Sequence, residues 1–130
     1  MAIEPVRRRR AGWLLGGVLL AWLVLQRVLH APAPPPVVCE RDLVPTPNTV
    51  VMLSASWCGY CRRARAWLTD SAIEYCEYDV ETTPGGREQF AALSHKVVPV
   101  LKIRDDILVG FNPTEIEQAL AAHGITAFDE

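Results

Sequence analysis

The sequence predicts an α/β domain, a four-stranded mixed sheet flanked by helices in the order βαβαββα, behind an N-terminal transmembrane helix. Three observations lead there. From residue 37 onward, segments with the apolar pattern of strands alternate with segments of helical periodicity. A Cys-x-x-Cys pair, Cys58 and Cys61, stands where the first strand gives way to the first helix, and Val98-Pro99 precedes the last pair of strands. An apolar run follows four consecutive arginines near the N-terminus.

The run from Ala11 to Leu29 is nineteen residues long, about 28 Å of helix and close to the hydrocarbon thickness of a bilayer. Arg27 lies within a turn of its far end, where a long side chain snorkels to the headgroups. The cluster Arg7 to Arg10 before the run, against Arg27 alone at its far end, keeps residues 1–10 cytoplasmic. The remainder then faces the periplasm, or a secretory lumen in a eukaryote. A cleaved signal peptide competes with this reading. The uninterrupted part, 11–25, is at the upper limit for one, and Ala31-Pro32-Ala33 has a small-x-small pattern, but Pro34 would follow the cut. A buried soluble helix would have to hide an apolar surface that runs all the way round. Residues 31–36, Ala-Pro-Ala-Pro-Pro-Pro, form a stiff spacer of roughly 20 Å at about 3.1 Å per residue. They lie in a lead-in, 30–48, that precedes a domain at 49–130.

Within that domain, Thr49 to Ala55 is a buried strand and Gly59 to Asp70 a helix with Ala64, Trp67 and Leu68 on one face. Ile73 to Val80 is a second strand, rich in aromatics. Thr83 caps a helix beginning at Pro84, with Phe90 and Leu93 inward, although Gly85 and Gly86 weaken it. Val100 to Ile103 and Ile107 to Val109 form a hairpin turning at Arg104-Asp105-Asp106. Asn112 caps the last helix, with Pro113 at its first position, Ile116, Ala119 and Leu120 as its buried stripe and Gly124 at its end.

Charge excludes one class of partner. Residues 1–36 carry five Arg against one Glu, a balance of +4, while 37–130 carry eight Lys and Arg against fourteen Asp and Glu, a balance of −6. A domain at −6 lacks the basic face that nucleic acid requires.

The chemistry centres on Trp57-Cys58-Gly59-Tyr60-Cys61. Two cysteines three apart at a helix start bring their sulfurs within disulfide range. The helix N-terminus favours a thiolate on the first, and the second is set deeper, where it attacks a mixed disulfide formed by the first. A metal site would need a second ligand pair, and Cys39 and Cys76 stand alone without a His at ligand spacing, so no metal is expected. Pro99 comes 38 residues after Cys61. A proline before a hairpin strand has no N–H to give the ladder, so it sits at an edge or in a special turn, and a cis bond suits a functional turn.

Cys58-Gly59-Tyr60-Cys61-Arg62-Arg63-Ala64-Arg65-Ala66-Trp67-Leu68 resembles the active-site segment of the glutaredoxins, which runs Cys-Pro-Tyr-Cys, two variable residues, Ala-Lys and an apolar stretch. Val97-Val98-Pro99 resembles their Thr-Val-Pro segment, and Gly110-Phe111-Asn112 their Gly-Gly-x-Asp turn. The likeness covers about 49–123. Trp57 before the first cysteine is more like thioredoxin, so the chain resembles a glutaredoxin-like member of the thioredoxin superfamily. The resemblance implies the thioredoxin/glutaredoxin-like fold, a cis Pro99, a nucleophile at Cys58 and a resolving thiol at Cys61. It also implies thiol–disulfide exchange with a disulfide-bearing protein, and glutathione as co-substrate held by Tyr60, by the backbone at Val98 beside Pro99, and by Gly110, Phe111 and Asn112. No resident cofactor is implied. Three departures work against the glutathione site: Gly59 replaces the motif proline, Val109 and Asn112 replace the first glycine and the acid, and Pro113 removes a backbone donor. Some glutaredoxins without the motif proline hold an iron–sulfur cluster between two subunits. A reductase outside the cytoplasm would draw on a membrane electron donor. The alternative reading is a non-catalytic binding or metal-handling module on the same fold, tethered to the membrane.

Other residues admit two readings each. Cys76, alternating with Tyr78 and Val80, is either a small buried hydrophobe or the partner of Cys39 in a disulfide, and Cys39 is also free for an intermolecular bridge. Arg62, Arg63 and Arg65 form a solvated helix face or raise the positive potential around the thiols. His95 falls in the loop before Pro99, and His30 and His123 at an interface and a helix end.

Overall fold

A computed structural model of the chain describes the backbone of residues 9–29 and 32–126, and the side chains of 16–29 and 32–126. The chain divides into two compact units, Met1–Pro32 and Ala33–Glu130. The first contains helix α1, Arg9–Leu29, whose large apolar side chains, Leu19, Trp22 and Leu29 among them, are exposed. Among the described residues, no helix is long and apolar enough to cross a membrane. The span expected over 11–29 therefore finds no support in the structure. The side chains of 11–15, the segment up to residue 8 expected to be cytoplasmic, and His30 lie outside the described residues.

The second unit is a four-stranded sheet in the order β2-β1-β3-β4. Its strands are β1 (Val50–Ser54), β2 (Tyr75–Asp79), β3 (Val100–Ile103) and β4 (Asp106–Val109). β1 runs parallel to β2 and antiparallel to β3, and β3 antiparallel to β4. Central β1 is covered on both faces and is accordingly apolar almost throughout, Val-Val-Met-Leu-Ser. Its Val50 and Met52 meet Ala64 and Leu68 of α2 (Gly59–Asp70) and Ile116 and Leu120 of α4 (Pro113–Ala122). Leu53, with Tyr78 and Val80, packs toward Phe90 and Leu93 at α3 (Pro84–Ala91). The predicted mixed sheet with helices on both faces is what forms, with β1 and β2 one or two residues shorter at each end than read from sequence and one boundary moved outward. Asp106 belongs to β4 rather than to the turn, because Arg104 adopts φ +52° and closes the hairpin one residue earlier.

Helix ends follow their sequence signals. Thr83 Oγ1 accepts the Gly86 N–H at 3.1 Å. Gly86 weakens a helix in isolation, but a Cβ there would collide with the Asp79 carbonyl and Thr83 Oγ1, so this close approach requires glycine. Lys96 Nζ donates to the Phe90, Ala91 and Leu93 carbonyls at 2.7–2.8 Å, satisfying the C-terminal end of α3. Gly124, φ +64°, ends α4 as expected, with the Ile125 N–H returning to the Leu120 carbonyl at 2.9 Å.

Residues 37–39, read from sequence as lead-in, pair with the outer edge of β2, and Cys39 in turn bridges Leu43. Glu77 N–H donates to the Val37 carbonyl at 2.7 Å, and Cys39 N–H to the Glu77 carbonyl at 3.1 Å. A Cys39–Cys76 disulfide, Cα–Cα 4.9 Å, fastens this edge. Of the readings open for the two cysteines, the intramolecular bond is the one formed.

Candidate active site

Cys58 is the N-cap of α2, with extended backbone at φ −75° and ψ 112°. Its Sγ accepts the Cys61 N–H at 3.1 Å. The sulfur thereby takes the place of a capping oxygen and meets one of the unpaired donors of the first turn. Cys61 lies one turn in. The two are joined as a disulfide, Cα–Cα 5.2 Å. Cys61 is fully buried, whereas Cys58 retains 5 % exposure. Both environments follow from position: a helix end is open at its cap and closed on the face that packs against the sheet.

The rim is aromatic and apolar. Trp57 and Tyr60 are 65 % and 60 % exposed, and Val97 is also exposed. Trp57 Nε1 donates to Glu81 at 3.0 Å, which orients the indole. The Arg63 guanidinium lies 5.3 Å from the Tyr60 ring centroid. The Val98–Pro99 bond is cis, Pro99 is fully buried, and Val98 packs against the cluster that contains both Cys58 and Cys61. The Gly110 N–H donates to the Pro99 carbonyl at 2.8 Å, with Gly110 at φ +88°, so the Gly110 turn and the cis proline are joined.

The structure therefore brings Cys58, Cys61 and Val98 into one cluster and ties Gly110 to Pro99. Phe111 and Asn112 are engaged elsewhere. The Phe111 ring meets Trp67 edge-on, centroids 6.3 Å apart, and Asn112 Oδ1 accepts the Thr114 N–H at 3.2 Å as the cap of α4. His95 is exposed, and His123 Nε2 lies 3.0 Å from Asp106.

One expectation needs correction. Arg62 and Arg63 are exposed, but Arg65 is not part of a solvated face. It turns inward and donates from Nε and Nη2 to both carboxylate oxygens of Glu77, at 2.7 and 2.9 Å, with side-chain exposures of 11 % and 3 %. These bonds raise the Arg65 pKa above its ordinary value, against the opposing effect of burial. Sequence reading missed Glu77. The available signal was a charged residue in the middle of an otherwise apolar strand, Tyr75-Cys76-Glu77-Tyr78.

Comparison with known proteins agrees with this geometry. The glutaredoxin family model matches residues 50–108. An uncharacterized glutaredoxin-like 8.6 kDa protein in the rubredoxin operon of Clostridium pasteurianum is 29 % identical over 72 residues, 55 % of this chain and 96 % of that protein. A candidate glutaredoxin of Mycobacterium tuberculosis strain CDC 1551 / Oshkosh is 33 % identical over 58 residues, 43 % of this chain and 69 % of that protein. The same figures hold for strain H37Rv. Among solved structures, Fasciola hepatica thioredoxin aligns with a TM-score of 0.47 and 22 % identity, over 58 % of this chain and 79 % of that one. The chain belongs to the glutaredoxin family.

Proposed function

We propose that the chain is a membrane-tethered thiol–disulfide oxidoreductase, working outside the cytoplasm on protein disulfides in preference to glutathione mixed disulfides. The observation that carries the redox reading is the division between the two sulfurs: Cys58 capping a helix with its Sγ on a backbone N–H, Cys61 buried one turn in. In the reduced domain the Cys58 thiolate attacks one sulfur of a substrate disulfide. A Cys58–substrate bond forms, and the displaced substrate sulfur leaves as a thiolate that takes up a proton. Cys61 then loses its proton and attacks Cys58 Sγ. The second substrate thiol departs, and the Cys58–Cys61 bond holds the oxidation that the substrate gave up.

Support for the preference comes from the turn at Gly110 to Pro113. Asn112 spends its side-chain oxygen on Thr114, and Pro113 has no N–H to offer a carboxylate. Support for the location comes from the arginines before the apolar run of 11–29 and from Cys39–Cys76, a buried bond of the kind that persists in oxidising compartments.

Single cysteine variants test the redox roles. Cys61→Ser should accumulate mixed disulfides on Cys58, visible on non-reducing gels of expressing cells, and Cys58→Ser should form none. In alkylation against pH, Cys58 should titrate below the free-thiol value of about 8.5. Trapped complexes on Cys61 in Cys58→Ser, or a faster and more acidic Cys61, would reverse the assignment.

A further inference from the structure

Glu77 is the node between the redox helix and the sheet edge. Its side chain holds Arg65 of α2 by two hydrogen bonds, and its backbone N–H and carbonyl hold Val37 and Cys39. Arg65 stands four residues after Cys61, so the two share a helix face with their Cβ atoms about 5–6 Å apart. The pair lies on a cleft of about 260 Å³ whose wall includes Ala55 and Ser56, which lead directly into Trp57 and Cys58. A pair this buried is a weak source of stability, because desolvating both charges offsets most of their attraction, and well-packed apolar residues often serve equally well. Its placement one turn from the resolving sulfur gives it a different use.

We propose that Arg65 and Glu77 are positioning residues that set the redox balance of the Cys58–Cys61 couple. Arg65 places a cation behind the dithiol, and Glu77 cancels it, leaving the thiolate at Cys58 to the helix N-terminus and to the exposed Arg62 and Arg63 at the motif itself. The inference rests on the redox reading above. It implies opposite effects from the two halves of the pair. Glu77→Gln leaves an uncompensated guanidinium, which stabilises thiolate and hence the reduced form. Arg65→Gln leaves an uncompensated carboxylate, which disfavours both.

The test equilibrates the full chain, and each variant, with mixtures of reduced and oxidised glutathione. Two glutathione thiols become one disulfide as the Cys58–Cys61 bond becomes two thiols, and the ratio is read by trapping and mass. Glu77→Gln should shift the constant toward the reduced form by about tenfold, the low end of what a neighbouring charge does to an ionising group, equal to about 30 mV. Arg65→Gln should shift it by a similar factor the other way. Arg65→Lys, which keeps the charge, should stay within about threefold of the unmodified chain, as should Arg65→Met/Glu77→Met, which has no buried charge to strand and folds even where a single variant does not. Shifts of the same sign in both single variants, no shift in either, or a double variant displaced as far as a single one would overturn the proposal. Failure of the unmodified chain to exchange with dithiothreitol as well as with glutathione, at any ratio, would instead sink the redox reading itself.

Discussion

Removing the Cys39–Cys76 bond measures what the lead-in contributes to the domain. The cysteines are 37 residues apart in sequence. Opening a loop of that length returns about 13 cal/mol/K of entropy to the unfolded chain, or about 4 kcal/mol at room temperature. Alanine is the appropriate replacement at both positions, since Cys76 is fully buried and Cys39 nearly so, and serine would add two hydroxyls to an apolar cluster. Against a total stability of about 5–15 kcal/mol for a typical domain, the loss is large. At about 4–8 °C per kcal/mol for a domain of this size, the melting temperature should fall by about 15–30 °C. Urea unfolding of the full chain, followed by near-ultraviolet dichroism, gives the free energy. Hydrogen exchange at the amides of Cys39 and Glu77, which make the edge bonds, gives the location. A loss under about 1 kcal/mol, or exchange that stays slow at both amides, would refute the view that this bond fastens the edge. Strong native-like order in the denatured chain would be the physical reason.

Three further outcomes are expected. The domain should reduce small glutathione mixed disulfides poorly relative to its reduction of protein disulfides, in paired turnover assays; equal rates would mean that the Asn112 cap leaves a working glutathione site. Burial, and then the hydrogen bond to Glu40, push the Tyr78 phenol up to about 12, so its contribution is complete below about pH 10, where the unfolded phenol is still protonated, and is lost as the pH rises through about 12. Alkaline unfolding should therefore lose stability across that window, with Tyr78→Phe flattening the slope; an unchanged slope would assign it to Tyr75, which burial also raises. A phosphatase that requires export, fused after Glu130 in a bacterial host, should be active, and inactive fusions with normal expression would reject the N-in topology.

What could be read from the sequence was local. The α2 start followed from Cys58 at a strand–helix junction, and the α4 start from Asn112-Pro113, because capping is decided by neighbours within a turn. Arg65 was hidden for the opposite reason. Helical spacing marked it as one polar residue among three, and its partner is twelve residues away on another element. The pairing of 37–39 was equally invisible, since this segment contributes isolated bridges rather than a strand with its own alternation, and Val38 pairs with Glu77, distant in sequence. Asn112 illustrates a third case. One residue carried two sequence readings, a helix cap and a ligand contact, and the structure gives its side chain to the cap.

The four cysteines form two bonds, and their surroundings separate the chemistry each can perform. Cys58 is nearly buried, at 5 % exposure, but it stands at a helix end beside exposed Trp57 and Tyr60, with a backbone N–H already on its sulfur. On the proposed redox reading, attack there breaks no sheet hydrogen bond, and the helix N-terminus favours the leaving thiolate. Cys76 is fully buried within the sheet, and Cys39, at 4 % exposure, belongs to the lead-in that the bond itself fastens to β2. A thiolate reaching either sulfur must first open the edge that Glu77 bonds on both sides of its peptide. Exchange at that bond is thus coupled to local unfolding, whereas exchange at Cys58 is not. On the proposed function, one disulfide cycles while the other persists in the same domain, without any difference in the cysteines themselves.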